Sequence, residues 1–311
     1  MSYEDKKLVF AGAGAPGRGT PWQTLGIVTE KALAPLGYTM FNDGTAWGAN
    51  NPRYVGDKKA DLGATLLTRV RWAYEGSHVY AKDGARASLR VIACINFSSW
   101  LGIAVRWETF ITDLSQIRER RLPVRVLGGR DEWSDIVWAY YGLSRETIES
   151  YGGKFLEVVN LPGMNPVWDS WARIGEFDVI MENIYAANTP ENKDFTEASI
   201  VHNLRFLPMP DDLIRELCEK VGGTPGAIPH LLHRGVQGDV PSMLREPQCI
   251  YARSDSPDAF VYELAKALDE HRDLFRLTHI PYSYDTRDVG RTNGVPLHPA
   301  AERYYREVGY L

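Results

Sequence analysis

Residues 7–19 read KLVFAGAGAPGRG, and the reading of this stretch decides the fold. Leu8, Val9 and Phe10 form an apolar run that empties into a loop of Gly, Ala and Pro, and a helical pattern starts near Thr20. A strand, a tight turn and a helix start in that order aim backbone N–H groups at whatever lies beyond the strand. Gly12, Gly14 and Gly17 also spell G-x-G-x-x-G, which alone is a weak sign of a dinucleotide site. A short alternating run at 38–41 follows the helix and ends near Asp43, about where a ribose-binding acid belongs. Against that, Pro16 lies inside the motif and Arg18-Gly19-Thr20-Pro21 lengthens the turn, whereas a pyrophosphate needs the helix to start at the third glycine. A dinucleotide-binding oxidoreductase is therefore the remote alternative.

Outward from the loop, Trp22, Leu25, Val28, Ala32 and Leu36 recur at helical spacing, and Gly37 closes that helix. A short helix is expected to end at Gly56, with a buried strand from about Ala60. Residues 87–105 are apolar and β-rich and read as one or two central strands. Thr112 is expected to cap a helix. A strand at 123–127 runs into Gly128-Gly129-Arg130-Asp131 and a helix from Glu132 to Tyr141, so the strand, Gly-rich loop and helix occur a second time. Residues 177–181 form another buried strand, with Glu182 and Asn183 at its carboxyl end. A helix over 211–220 precedes an irregular surface segment at 221–238, and 248–252 reads as a return strand. Ser256 as cap with Pro257 and Asp258 in the first turn starts the next helix, and the last begins near Pro299 and stops at Gly309. Strands alternating with helices imply an α/β chain with a parallel sheet.

Composition narrows the function classes. With 311 residues the chain suits two lobes, and 44% hydrophobic with 24% charged residues is globular. The net charge is −5 and no dense basic stripe appears, so nucleic acid is not an expected partner. No run of some 18 apolar residues exists to span a membrane. The first residues lack the apolar core of an export signal, so the protein is expected to be cytoplasmic if Met1 is the native start. Cys94, Cys218 and Cys249 are far apart without C-x-x-C spacing, which argues against zinc or redox motifs. An odd count leaves at least one free thiol, and buried structural cysteine is the default. No cofactor or metal is expected.

The order of several pieces resembles a known family. After the opening loop come Gly44-Thr45-Ala46-Trp47-Gly48-Ala49-Asn50-Asn51, then Ala60-Asp61-Leu62-Gly63, Gly128-Gly129, Gly175-Glu176-Phe177-Asp178-Val179, and a closing LHPAA…YYREVG segment over 297–309. This set resembles the TAXI family of solute-binding proteins, the extracytoplasmic receptors of TRAP transporters, over nearly the whole chain. The resemblance implies a two-lobed type II periplasmic-binding-protein-like fold with a ligand cleft between lobes. Lobe 1 is expected over 1–103 plus 250–311, and lobe 2 over 104–249. It further implies a small organic acid as ligand, a TRAP-type membrane permease as partner, and a periplasmic location once a signal peptide has been removed. The chain departs from the family where Trp22-Gln23 replaces a Tyr-Tyr pair, where Thr45 replaces a Ser, and where 128–133 is bulkier and more charged than a G-S-G-T type turn.

The expected ligand-binding residues are Gly14, Arg18, Trp22, Gln23, Thr45, Trp47, Asn50, Gly129, Arg130, Trp133, Glu182 and Asn183. Gly14 and Gly129 belong to the loops whose N–H groups suit a carboxylate, and Arg18 or Arg130 would clamp it bidentately. Trp22, Trp47 and Trp133 offer faces for an aromatic acid, although Trp22 also lies in the apolar stripe of its helix. Glu182 and Asn183 sit where α/β sheets keep ligand contacts, with helix capping as the rival role. Thr45, Asn50 and Asn51 are loop polar groups that equally favour turns. The main alternative is a cytoplasmic decarboxylase, lyase or hydrolase of a small carboxylate, with His78, Asp131, Glu182 and His298 as acid/base candidates and Cys94 as a poor nucleophile. These form no triad or metal spacing in the sequence. For His298, which precedes Pro299 at a helix start, capping or packing is the expected role.

Overall fold

The computed structural model describes residues 3, 5–12, 21–44, 50–129, 132–156, 177–186, 190–278 and 280–311, with the backbone alone at 190–194 and 197. The chain is α/β and divides into two compact units, Met1–Phe97 with Glu246–Leu311, and Ser98–Arg245. Unit 1 opens with β1 (Lys7–Ala11), α1 (Pro21–Leu33), β2 (Thr39–Asp43), α2 (Asn50–Gly56), β3 (Leu62–Leu66), α3 (Leu67–Glu75) and β4 (Leu89–Ile95). Unit 2 runs through β5 (Ser99–Arg106), α4 (Ser115–Arg120), β6 (Arg125–Gly128), α5 (Glu132–Tyr140), α6 (Arg145–Ser150), β7 (Lys154–Leu156) and β8 (Val179–Tyr185). It continues with α7 (Pro190–Val201), β9 (Leu204–Phe206), α8 (Asp211–Leu217), β10 (Gly223–Ile228) and β11 (Val240–Arg245). The chain returns to unit 1 with β12 (Gln248–Arg253), α9 (Asp258–Glu270), α10 (Asp273–Arg276) and α11 (Pro299–Glu307).

Unit 1 is built on a sheet of order β2-β1-β3-β12-β4, in which β1 pairs parallel with β2 and β3 while β12 runs antiparallel between β3 and β4. A doubly wound dinucleotide fold keeps its strands mostly parallel about the crossover. The antiparallel β12 in the middle of this sheet therefore removes the dinucleotide-binding fold from consideration. All five β3 residues are buried, as a central strand covered on both faces requires. Asp61 fastens the entry to β3, its Oδ2 accepting from Val9 N at 2.8 Å and its own N–H donating to Val9 O at 2.8 Å. Gly63 is dictated by close approach, because a Cβ there would lie 2.6 Å from Tyr251 Oη on β12. Arg253, at the end of β12, is 7% exposed and its Nη1 donates to both Val55 O and Ala60 O at 2.9 Å. It satisfies the carbonyls of the turn that joins α2 to β3, which buried backbone groups require.

The closing segment is structural. Leu297 bridges Val91, His298 caps α11 by accepting from Ala300 N, and Tyr305 is fully buried. Tyr304 Oη donates to Asp269 Oδ2 on α9 at 2.7 Å, which ties the last helix to its neighbour.

Unit 2 holds the second sheet, of order β10-β11-β5-β8-β6-β7 with β9 also on β5. Strand β5 pairs with β8, β9 and β11, so it belongs to unit 2 and the division falls after Phe97, earlier than the sequence suggests. The segment at 221–238, read as irregular, contains β10, which pairs over its whole length with β11. Its Gly-Thr-Pro-Gly composition hides it: Pro225 and two glycines are admissible because β10 is an edge strand. Two helix starts also differ from expectation. Thr112 Oγ1 accepts from the Gln116 side chain, while Asp113 Oδ1 takes Ser115 N. Pro257 is the N-cap of α9 and no side chain caps it, so Ser256 lies one step outside. Among the described residues no helix is long and apolar enough to cross a membrane.

Candidate functional site

In open α/β sheets ligands sit outside the carboxyl ends of the parallel strands, where successive connections depart to opposite sides. In unit 1 that point lies between β1 and β3, since the chain goes from β1 out to β2 and then back across to β3. The residues around it are polar and buried. Asn51, in the first turn of α2, is fully buried, and its Nδ2 donates to Ala64 O on β3 at 2.9 Å. Its Oδ1 has no hydrogen-bond partner among the described residues. Thr68, in the first turn of α3, is 1% exposed and its Oγ1 is likewise unpartnered. Gln248 opens β12 opposite Leu66 at the end of β3, and its Oε1 accepts from Trp22 Nε1 at 2.6 Å. A buried oxygen without a partner costs about 1–3 kcal/mol.

In unit 2 the corresponding point lies between β6 and β8, because β7 flanks β6 on one side and β8 on the other, all parallel. Gly128 ends β6 opposite Met181, and Gly129 N donates to Met181 O at 2.9 Å. Both glycines have positive φ, 74° and 65°, and a Cβ on Gly128 would overlap the Met181 carbonyl and approach Glu182 Oε2 to 3.3 Å. Only glycine fits a turn of that hand at that distance. Trp138, 1% exposed, sits beneath with its Nε1 3.4 Å from Gly129 O.

Just past this turn, Glu182 Oε1 accepts from both Asn183 N and Asn183 Nδ2 at 3.0 Å. Asn183 Oδ1 in turn accepts from Arg245 Nη1 at 2.8 Å. Arg245 ends β11, which runs in the same direction as β8 because both are antiparallel to β5, so the guanidinium reaches the same edge of the sheet. Its buried Nε has no hydrogen-bond partner among the described residues. A guanidinium held at one corner by an amide and still carrying an unused buried donor is set up for a planar anion.

Arg245 is the residue that sequence reading missed. Nothing in Met243-Leu244-Arg245-Glu246-Pro247 distinguishes it from a solvated arginine; only the strand direction and the Asn183 contact identify it. Of the expected residues, Glu182, Asn183 and Gly129 come together at this edge. Trp133 is 3% exposed and packs in the unit 2 core, with only its Nε1 unpartnered. In unit 1, Trp22 and Gln23 are half-buried at the start of α1. Asn50 is exposed at the start of α2 and accepts from Arg53 Nη1, while its neighbour Asn51 carries the buried amide. Gly14, Arg18, Thr45, Trp47 and Arg130 lie outside the described residues.

The acid/base candidates of unit 1 have structural surroundings. The His78 ring stacks on Trp72 at 4.1 Å and is exposed. His298 is fully buried with Nδ1 taken by the α11 cap, and burial lowers its pKa. Burial pushes the Cys94 thiol up to about 12, which leaves it no nucleophilic thiolate near neutrality. Asp131 lies outside the described residues. Among the described residues no group of three or more His, Cys, Asp or Glu side chains is placed to hold a metal ion.

Comparison with known proteins adds the following. A family model described as NMT1-like matches residues 178–309, from the start of β8 through α11. Among solved structures, MatC from Rhodopseudomonas palustris with bound malate is 13% identical, covering 97% of this chain and 96% of that one at a TM-score of 0.49. A TctC solute binding protein from Polaromonas is 15% identical, covering 98% of each chain at a TM-score of 0.46. An ABC-transporter choline binding protein in complex with choline is 11% identical, covering 99% of this chain and 91% of that one at a TM-score of 0.44.

Proposed function

We propose that this chain is a solute-binding protein that takes a small organic acid and hands it to a membrane transporter of the TRAP type. The observation that carries the reading is Arg245: a partly buried guanidinium, oriented by Asn183, with an unpartnered Nε at the carboxyl edge of the unit 2 sheet. A carboxylate is the anion of matching shape, since two parallel N–H···O bonds satisfy it bidentately. The TAXI resemblance supports the choice of transporter and a periplasmic location.

The test is a thermal-shift screen of hydroxy, amino, dicarboxylic and aromatic acids, followed by calorimetry on the best. One class should raise the melting temperature, since ligand bound only by the folded state stabilises it by mass action. Arg245→Met should then weaken that acid by roughly 10- to 100-fold, the value of a charge-assisted hydrogen-bond pair. Arg18→Ala and Arg130→Ala complete the set. Absence of a shift with any acid, or parent-like affinity in the Arg245→Met variant, would overturn the reading.

A further inference from the structure

We propose that Cys94 and Cys249 are a disulfide-forming pair that joins β4 to β12. The register of these antiparallel strands sets the two residues directly opposite each other, so their side chains leave the same face of the sheet. Both are fully buried and both belong to one core cluster of unit 1.

The kind of pair is fixed by where the backbone donors go. Cys94 N donates to Val289 O at 2.8 Å, so its N–H points away from β12. On its other side Cys249 faces Thr65 of β3, two places along from Leu67 N, which donates to Pro247 O at 2.9 Å. Hydrogen-bonded positions alternate along an antiparallel ladder, so Cys249 turns its own donor and acceptor to β3. Cys94 and Cys249 are therefore a narrow, non-hydrogen-bonded pair, with Cα atoms about 4.5 Å apart. That lies inside the range of about 4.4–6.8 Å over which a disulfide closes without backbone movement. All three cysteines are free thiols in this structure, and the third, Cys218, lies in unit 2 with no cysteine facing it among the described residues.

The chemistry requires an oxidant, and a low-molecular-weight disulfide such as oxidised glutathione supplies it. One cysteine thiolate attacks the small disulfide, forming a mixed disulfide and releasing one small thiol. The second cysteine attacks the protein sulfur of that mixed disulfide and releases the other small thiol. Two protein thiols become one disulfide, one small disulfide becomes two thiols, and protons are conserved. Burial raises the pKa of both thiols in the folded sheet, so exchange proceeds while β4 and β12 are still open, and the finished bond is shielded afterwards. All of unit 2 lies in sequence between the two cysteines, so the bond closes a long loop in the unfolded chain and restrains it. Disulfides of this kind persist in oxidising compartments. The inference rests on strand register and does not depend on any ligand.

The test uses the full chain, reduced and unfolded in guanidinium chloride, then refolded in a glutathione redox buffer. The product is denatured, its free thiols are blocked with N-ethylmaleimide, and it is analysed by peptide mass spectrometry. The expected result is one adduct, on Cys218, with the peptides containing Cys94 and Cys249 joined. The denaturation midpoint of this material should lie above that of a dithiothreitol-treated sample, and the difference should vanish in the Cys94→Ala/Cys249→Ala variant. Three adducts in the refolded parent, or a cross-link that includes Cys218, would overturn the proposal. The mass readout needs only the parent chain, so it stands whether or not the double variant folds.

Discussion

Replacing Asp178 by Ala should lower the stability of the protein by about 2–3 kcal/mol at pH 7. Asp178 precedes β8 and makes a two-pronged contact with Arg125 at the start of β6: Nε to Oδ2 and Nη2 to Oδ1, both 2.9 Å. Arg125 N donates to the same Oδ2 at 2.8 Å, and Asp178 N returns a bond to Arg125 O at 2.9 Å. The two side chains are 27% and 19% exposed, so solvent screens the pair only in part. Removing the carboxylate takes away two guanidinium bonds and one strand N–H bond in a half-buried place, and that loss makes up most of the effect. Burial alone would raise the Asp178 pKa, but the Arg125 side-chain and backbone donors outweigh it and hold the carboxyl below its ordinary value. With the folded pKa depressed, the stabilisation is complete above the ordinary carboxylate range and is lost as the pH falls through the folded value. Denaturant midpoints of parent and variant should thus differ most at neutral pH and converge on strong acidification. A gap that stays constant from pH 7 to pH 3 would show that the ion pair contributes nothing.

Much of this fold is written locally. The apolar run at Leu8-Val9-Phe10 and the buried strand at Leu62–Leu66 both carry their burial in plain hydrophobicity. The helix ended by Gly37 carries it in a glycine whose φ of 84° few other residues adopt. His298-Pro299 marks the last helix by the same local logic, a side-chain cap followed by proline in the first turn. What sequence cannot supply is pairing across distance. Strand β10 is hidden because an edge strand tolerates the Gly and Pro that usually mark loops. Strand β5 looks continuous in composition with β4, yet its partners β8, β9 and β11 all come later in the chain. The same limit applies to the site. Glu182 and Asn183 were legible because they adjoin a recognisable buried run, although β8 continues through them to Tyr185, whereas Arg245 became visible only when β11 was laid parallel to β8. Asn50 and Asn51 show how fine the limit is: adjacent asparagines in one turn, one exposed and paired to Arg53, the other fully buried.

Acidification from pH 6.5 to pH 5 should cost the protein about 2 kcal/mol through His233 alone. This imidazole is 6% exposed and lies among aromatic rings, with centroids 5.9 Å from Phe195 and 6.2 Å from Phe206, the latter nearly parallel at 4°. Burial pushes its pKa down from 6.5 to about 4, because a charged ring in that setting loses its hydration. Between those two values the unfolded chain binds a proton that the folded chain refuses, so stability falls as the pH drops and the penalty levels off below about 4. Above about pH 7.5 the term vanishes. His298 and His202 are also lowered by burial and act in the same direction, while Asp178 titrates only below this window. His233→Phe should therefore flatten the pH dependence without abolishing it, and its midpoint should exceed that of the parent at pH 5 relative to pH 7. Urea denaturation of both proteins at pH 7, 6, 5.5 and 5 measures this directly. Parallel curves for parent and variant across the window would mean that the His233 ring stays protonated in the fold, or is wetted, and that its burial contributes nothing to acid sensitivity.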